Sequence, residues 1–314
     1  MSGRLQDLGA HCFAWLQPNG SWGLSNAGLV VDSGEALLVD TLIDLTRTGA
    51  MLAAMRDAEP AARKIGTLVN THANPDHTSG NSLLEGASII ASAAAARAMP
   101  YETAAVLAAA VRDARAANDQ AGRYLLRCFD SFDLEGITPK FPDRVFSGEL
   151  SLRVGERRVD LYEVASAHTS GDVLVHVPST GVVFTGDLLF LESHPIMWTG
   201  PIENWIAACD RIVELNPAIV VPGHGPITDL RGVRVVRDYL VFVRERARVA
   251  FDAGLSAFDA ATSIGAQFGS STWANWVDRE RIVATVHALY RGWTKDSSPP
   301  NVPALCAEMA RFDT

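Results

Sequence analysis

A chain of 314 residues with 48% hydrophobic content can bury a large core, in one elaborated domain or in two. Its formal net charge of -9 argues against a nucleic-acid partner, because phosphate binding needs concentrated Lys and Arg. No apolar stretch reaches the length of a signal peptide or a membrane span, so we expect a cytoplasmic protein without a membrane partner. Four cysteines without a C-x-x-C pair predict free thiols, with a Cys12–Cys128 disulfide as the open alternative.

The first third of the chain predicts alternating strands and helices. Residues 28–40 are typical of a β-hairpin with Ser-Gly at its turn, and residues 45–58 have helical spacing. The apolar run 65–70 indicates a buried strand, after which Thr78 is predicted to cap a short helix through Leu84. Such alternation predicts a layered α/β structure.

An alanine-rich stretch at 91–140 interrupts the alternation. Its high helix propensity predicts a helical insertion, broken at Pro100, that either overhangs a functional site or is plain surface helix. Strands return at 144–164, and a helical extension is predicted for 229–314. Within it we expect helices at 230–251 and 278–292 and an irregular Pro-rich segment at 298–303. We predict that residues 1–314 form a single domain.

Polar side chains follow four of the apolar stretches. The run 65–70 leads into Thr71-His72-Ala73-Asn74-Pro75-Asp76-His77, and later stretches end at His168, Asp187 and His224. Each unpaired polar group in a core would cost about 2–7 kcal/mol, whereas imidazole and carboxylate are the usual donors to a borderline cation such as zinc. The sequence therefore predicts a metal site whose ligands are His72, Asn74, Asp76, His77, His168, Asp187 and His224.

The order of these residues resembles the pattern of the metallo-β-lactamase-fold hydrolases, which is H-x-H-x-D-H, then His, Gly-Asp and Gly-His-Gly. The resemblance covers residues 10 to 245. It implies a four-layer αβ/βα sandwich, in which two sheets pack face to face with helices outside and the metals lie at one edge. By position it implies a first metal site formed by His72, Asn74 and His168, a second formed by Asp76, His77 and His224, and Asp187 as a bridge between them.

The resemblance also suggests roles for two aspartates. Asp76 is implied as the catalytic residue that orients the attacking water or relays its proton. Asp40, at a strand end near the metal edge, is expected to orient a ligand histidine. The predicted cofactor is zinc, one or two ions, with iron or manganese as alternatives.

Asn74 departs from the family pattern, which has histidine at this position. A carboxamide oxygen is a weaker, neutral donor to zinc than imidazole. Three alternatives stay open: Asn74 coordinates through its oxygen, it holds a metal-bound water by a hydrogen bond, or the first metal has been lost.

The predicted reaction is zinc-dependent hydrolysis of an ester-like bond (thioester, lactone or carboxylic ester) by a water that the metal ionises near neutral pH. The substrate is expected to be a small or carrier-bound acyl compound, and a homodimer is compatible with the sequence. Short strings such as Asn26-Ala27-Gly28 look like relatives of aromatic polyketide cyclase/thioesterases, which makes metal-promoted aldol ring closure an alternative. The second alternative is a metal-binding or scaffold protein whose catalysis is reduced because of Asn74.

Three further residues are candidates for contact with the substrate. Trp22 lies at a predicted hairpin tip, and His194 and Trp198 lie in the loop after Asp187. The alternatives are a packed tryptophan and a solvated loop histidine.

Overall fold

The computed structural model describes residues 3–312; the last two residues of the predicted extension 229–314 lie outside this range. Within it, the first sheet contains β1 (Arg4–Gly9), β2 (Cys12–Leu16), β3 (Ala27–Asp32), β4 (Glu35–Val39), β5 (Thr67–Val69), β6 (Ser88–Ser92) and β7 (Arg144–Phe146). These strands lie side by side in chain order. Pairing is antiparallel from β1 to β4 and parallel from β4 to β7. The predicted hairpin 28–40 is confirmed as β3 and β4.

The second sheet contains β8 (Glu149–Val154), β9 (Arg157–Glu163), β10 (Val173–Val177), β11 (Val182–Phe184) and β12 (Ile219–Val221). Its strand order is β12-β11-β10-β9-β8. Strands β11 and β12 pair parallel, and the other neighbours pair antiparallel. As a result β9, β11 and β12 run in the same direction, and their carboxyl ends share one edge of the sheet.

The α-helices of residues 3–312 lie between the strands in the chain and after the last of them. They are α1 (Leu45–Ala58), α2 (Pro75–Thr78), α3 (Ala93–Ala98), α4 (Ala104–Ala117), α5 (Gln120–Phe129), α6 (Ile202–Leu215), α7 (Leu230–Asp252), α8 (Ala257–Gln267), α9 (Ile282–Thr294) and α10 (Val302–Phe312). Helix α1 has the predicted bounds and begins where the Asp44 side chain accepts a hydrogen bond from the backbone N–H of Arg47.

The alternation of side chains along β3 and β4 explains the layers. Val30 and Leu37 lie in the core between the two sheets, whereas Leu29 and Leu38 pack with residues of α1 on the other face. On the far side of the second sheet, buried residues of β10, β11 and β12 pack with α6, α7 and the C-terminal helices. The predicted four-layer αβ/βα sandwich is confirmed.

The predicted insertion contains α3, α4 and α5, and Pro100 lies in the short 3-10 turn Met99–Tyr101 that separates α3 from α4. Its predicted start at residue 91 is wrong, because β6 continues to Ser92. Helix α5 packs against α10, where Gln120 Nε2 donates to the carbonyl of Ala310 at 3.2 Å. The insertion therefore contacts the C-terminal extension.

The extension is helical, as predicted, with small differences at its boundaries. The helix expected at 278–292 is α9, which begins at Ile282 after the 3-10 turn Arg279–Arg281. The irregular segment expected at 298–303 ends earlier, because α10 begins at Val302. Pro303 lies in the first turn of α10, where its missing N–H removes no helical hydrogen bond.

Two other expectations are decided by the structure. All four cysteines are free, so the Cys12–Cys128 alternative is excluded. Thr78 ends α2 and does not cap a following helix; its hydroxyl donates to the carbonyl of Asn74 at 3.1 Å. Among residues 3–312, none of the helices has both the length and the apolar character needed to cross a bilayer.

Candidate metal centre

Four loops bring the predicted metal residues together. The string 71–77 follows β5, His168 lies between β9 and β10, Asp187 lies in the 3-10 turn Gly186–Leu188 after β11, and His224 follows β12. All four histidines of this set and Asp187 are buried. Because the parallel strands end at the same edge, residues far apart in sequence converge here.

The first group of donor atoms surrounds Asn74. Its Oδ1 atom lies 2.9 Å from His168 Nε2 and 3.1 Å from His72 Nε2. Asp187 Oδ2 lies 3.4 Å from His168 Nε2 and 3.7 Å from His72 Nε2. Two nitrogen and two oxygen atoms thus face a common point.

The second group surrounds Asp76, and Asp187 belongs to it as well. His77 Nε2 lies 3.0 Å from Asp187 Oδ1 and 4.0 Å from Asp76 Oδ2. His224 Nε2 lies 3.3 Å from Asp76 Oδ2 and 3.4 Å from Asp187 Oδ2. The Asp187 carboxylate therefore lies between the two groups.

The outer nitrogen of each histidine is held by an acceptor, so that Nε2 faces the cluster. His168 Nδ1 donates to the carbonyl of Ile196 at 2.7 Å, and His224 Nδ1 donates to the carbonyl of Gly20 at 3.1 Å. His77 Nδ1 donates to Asp40 Oδ2 at 2.9 Å. This outer shell fixes the ring orientations that metal ligands need.

His72 is held through an intermediate hydroxyl. Thr71 Oγ1 donates to Asp40 Oδ2 at 2.6 Å, so its oxygen accepts from His72 Nδ1 at 3.0 Å. Asp40 thus supports one histidine of each group. Its own backbone is in the left-handed region (φ 61°), a strained conformation for a non-glycine residue that tends to persist at functional sites.

Glycine is required where the loops approach one another closely. Gly186 has φ +51°, and a Cβ there would lie 2.4 Å from Thr71 Oγ1. Gly225 has φ +90°, and a Cβ there would lie 1.9 Å from the carbonyl oxygen of Leu191. The glycines beside Asp187 and His224 therefore permit this close approach of the loops.

The donor set fits a metal ion. His77 Nε2 and Asp187 Oδ1 are buried and 3.0 Å apart, yet neither has a hydrogen-bond partner. The ligand atoms of four-coordinate zinc lie about 3.3 Å apart, since its bonds to N and O are about 2.0–2.1 Å long. The separations in both groups are centred near this value. Imidazole, carboxylate and carboxamide atoms that face one another with unused lone pairs are stabilised by a shared cation.

The charges within the cluster also favour a bound cation. Burial alone would lower the pKa of His77 and His224, but the neighbouring aspartates, Asp187 first, raise it above its usual range. Burial, together with the positive charge of His77, holds the pKa of His72 well below its usual range. Burial opposes ionisation of Asp187, yet the surrounding histidines keep its pKa well below normal. The carboxylates thus attract positive charge, which a metal ion can supply in place of protons.

Asp40→Ala is expected to lower the zinc affinity of the centre by about 10- to 100-fold, because His77 and Thr71 lose their acceptor. Zinc competition titration of the metal-free protein measures this affinity. Asp57→Asn, at an exposed position of α1, is the matched control and should bind zinc like the wild type. Unchanged affinity in Asp40→Ala would contradict the supporting role of Asp40.

The structure separates the three predicted substrate residues. Trp22 and Trp198 are partly exposed, with ring centroids 6.5 Å apart. They lie on the same loops as Gly20 and Ile196, whose carbonyls hold cluster histidines. His194 lies elsewhere: it is fully buried among aromatic rings, and its Nδ1 is 3.2 Å from the hydroxyl of Tyr239. Burial lowers the pKa of His194 to about 3, so it is a neutral core residue and we leave it out of the candidate substrate site.

The loop that carries Trp22, residues 17–26 between β2 and β3, is tied to the loop of His224. Asn26 N donates to the carbonyl of Gly223 at 2.7 Å, and Asn26 Nδ2 donates to the carbonyls of Pro222 and Gly225 at 2.9 and 2.8 Å. We call residues 17–26 the β2–β3 loop. Its position and that of the metal residues are therefore interdependent.

Sequence reasoning missed the support beneath Trp22. Trp22 Nε1 lies 3.4 Å from Glu280 Oε1, and the guanidinium of the buried Arg281 lies 4.5 Å from the centre of the Trp22 ring. Phe190, 5.5 Å from the same guanidinium, stacks on His224 at 5.0 Å. The C-terminal extension thus packs directly behind the candidate site, and only the fold shows this.

Sequence reasoning also missed Glu102. Its Oε2 atom accepts a hydrogen bond from Asn74 Nδ2. Burial raises the pKa of Glu102, an effect that the hydrogen bond from Asn74 partly offsets. No motif indicated this residue, because it lies 28 positions from Asn74 within the insertion.

Comparison with known proteins agrees with this geometry. The family model described as the metallo-beta-lactamase superfamily matches residues 20–224. A curated relative, the hydroxyacylglutathione hydrolase of Erythrobacter litoralis, is 26% identical over 189 residues, which cover 59% of this chain and 56% of that protein. The chain therefore spans about half the length of this curated relative.

Solved structures show the same fold. The metallo-β-lactamase from Pontibacter korlensis has a TM-score of 0.56 and 17% identity, covering 76% of this chain and 99% of that chain. The DIM-1 metallo-β-lactamase has a TM-score of 0.54 and 19% identity, with 77% and 98% covered. At these identities the likeness establishes the fold alone. The family model, however, matches well over half of the chain, and the protein belongs to the metallo-β-lactamase superfamily.

Proposed function

We propose that the protein is a metal-dependent hydrolase that cleaves a thioester bond, with zinc as its metal. The observation that carries the proposal is the pair of donor groups that share Asp187, in which the buried His77 Nε2 and Asp187 Oδ1 face each other without hydrogen-bond partners. Mixed nitrogen and oxygen donors suit zinc. The carboxamide of Asn74 shifts the first group toward oxygen, which keeps iron and manganese as alternatives there.

The chemistry divides between the metal and the protein. Bound metal ions supply Lewis acidity, which polarises a carbonyl and lowers the pKa of a coordinated water. Hydrogen bonds at their Nδ1 atoms hold the four histidines in position. Asp76 is the catalytic candidate, since 14% of its side chain is exposed against 5% for Asp187. Its carboxylate can orient the attacking water and accept a proton from it.

A thioester is favoured over other ester-like bonds by the curated relative, whose name specifies an acylated glutathione. The acyl group is expected to lie against Trp22 and Trp198, and the Phe129 ring packs on Trp22 with its centroid 5.7 Å away. Such aromatic walls suit a large apolar acyl group, free or attached to a carrier. A cytoplasmic location and a homodimer stay predictions.

The test is a substrate panel with zinc-loaded protein: chromogenic acyl thioesters with short and aromatic acyl groups, a lactone, a carboxylic ester and a β-lactam. We expect the highest kcat/KM for an aromatic thioester, loss of turnover on chelation, and recovery on adding zinc. Trp198→Ala should raise KM for the aromatic thioester more than for acetyl thioester. Folded, zinc-loaded protein that hydrolyses no member of the panel would exclude the proposal.

A second assay, with a poly-β-ketone thioester as substrate, separates the two alternatives. A cyclase would convert a poly-β-ketone thioester to a ring-closed product that is lighter by one water, which mass spectrometry detects. A scaffold protein with reduced catalysis would be folded and bind zinc but would turn over no substrate in either assay.

A further inference from the structure

The side chain of Asn74 does not cap the helix that follows it. Asn74 is the residue before α2, where an asparagine side chain usually accepts a hydrogen bond from the first turn of the helix. The structure shows no such capping bond. The side chain instead turns toward His72 and His168 on one side and toward Glu102 on the other.

The two ends of a carboxamide are nearly identical in shape and opposite in hydrogen bonding. With Oδ1 toward the cluster, Asn74 presents an acceptor to a metal. With the amide turned over, Nδ2 would donate to the Nε2 atoms of His72 and His168 and occupy the first group with hydrogen bonds. A carboxylate can only accept, so Glu102 admits only the orientation in which Nδ2 faces it and Oδ1 faces the histidines.

We infer that Glu102 is a positioning residue for the first metal site, where it locks the Asn74 carboxamide with its oxygen toward the metal and so compensates for the histidine that the family has at this position. The inference rests on the metal centre of the proposed function. The Glu102 carboxylate accepts directly from Asn74 Nδ2 and can therefore polarise the amide. Polarisation through a hydrogen bond increases the negative charge on Oδ1 and makes it a better donor.

The position of Glu102 gives the insertion a function. Glu102 follows the 3-10 turn Met99–Tyr101 and precedes Thr103, whose side chain caps α4 by accepting from the backbone N–H of Val106. Its backbone N–H bonds to the carbonyl of Met99 at 3.1 Å, so the residue is held between two helical elements. The insertion thus supplies the acceptor for Asn74, which the loops that carry the metal residues do not provide.

The test is zinc titration of metal-free protein, with cobalt absorption as a second readout of coordination. Zinc should bind in two steps, and the step that Asn74→Leu weakens is assigned to the first site. Glu102→Leu should weaken the same step by about 10- to 100-fold and leave the other step unchanged. Glu102→Gln keeps an acceptor for Nδ2 but can also donate to the reversed amide, so it should weaken this step clearly less than Glu102→Leu does. Glu135→Leu, an exposed position of the same insertion, is the matched control.

A double-mutant cycle tests whether Glu102 acts through Asn74. In the Asn74→Leu background, Glu102→Leu should have no further effect on zinc affinity. If Glu102→Leu does not fold, Glu102→Ala introduces no bulk and provides the same measurement. The inference is overturned if the zinc affinity of the first site in folded Glu102→Leu or Glu102→Ala stays within about threefold of the wild type. A wild-type protein that binds no zinc at all would instead exclude the proposed function.

Discussion

Asp187→Ala is expected to abolish zinc binding in both sites, because Asp187 Oδ1 faces His77 while Oδ2 faces His168 and His224. The loss of zinc affinity should exceed the roughly 100-fold loss that removal of a hydrogen-bond partner of a ligand histidine can cause. Turnover should fall below detection, since neither group keeps its shared carboxylate. Elemental analysis and zinc titration of the purified variant measure the effect.

Asn74→Ala provides the comparison for this variant. It removes one neutral donor from the first group only, so the step assigned to Asp76, His77 and His224 should be retained. Equal loss of metal in both variants would show that Asn74 is as important as Asp187 and would contradict the ranking. Circular dichroism of each metal-free variant separates loss of metal from loss of fold.

Removal of metal is expected to lower the thermal stability of the protein substantially. The cluster buries Asp187 and four histidines, and His77 Nε2 and Asp187 Oδ1 have no hydrogen-bond partner that could replace a cation. An ion present at about 1,000 times its Kd adds about 4 kcal/mol to the free energy of unfolding. At about 2–4 °C per kcal/mol, Tm should fall by about 8–16 °C on chelation.

Scanning calorimetry with zinc and with excess chelator measures this difference. Asp187→Ala is the control, because its Tm should be insensitive to zinc. A wild-type Tm that is equal in the two conditions, in samples whose metal content differs by elemental analysis, would contradict a role of the metal in stability.

Features that depend on local sequence were predictable. Helix α1 and the β3–β4 hairpin follow from spacing and turn chemistry within a few residues, and the structure reproduces them. The metal residues were predictable because each follows an apolar strand, and parallel strands deliver their carboxyl ends to one edge. Asp40 could be assigned for the same reason.

Features that depend on distant contacts were not predictable. The acceptors for His168 and His224 are backbone carbonyls of Ile196 and Gly20, which every residue type possesses. His194 lies in a loop by sequence but is buried by helices that follow it in the chain. Glu102 lies in a stretch whose composition is typical of surface helices, and only its contact with Asn74 in the folded chain indicates its role.

The hydrogen bonds of the β2–β3 loop have a consequence for how substrate enters. The loop carries Trp22, and its Gly20 carbonyl orients His224, while Asn26 attaches it to the backbone on either side of that histidine. An outward swing of the loop would have to release the ring of His224. We therefore expect this loop to act as a fixed wall: acyl groups are selected by fit to a preformed opening, and product release requires no hinge step.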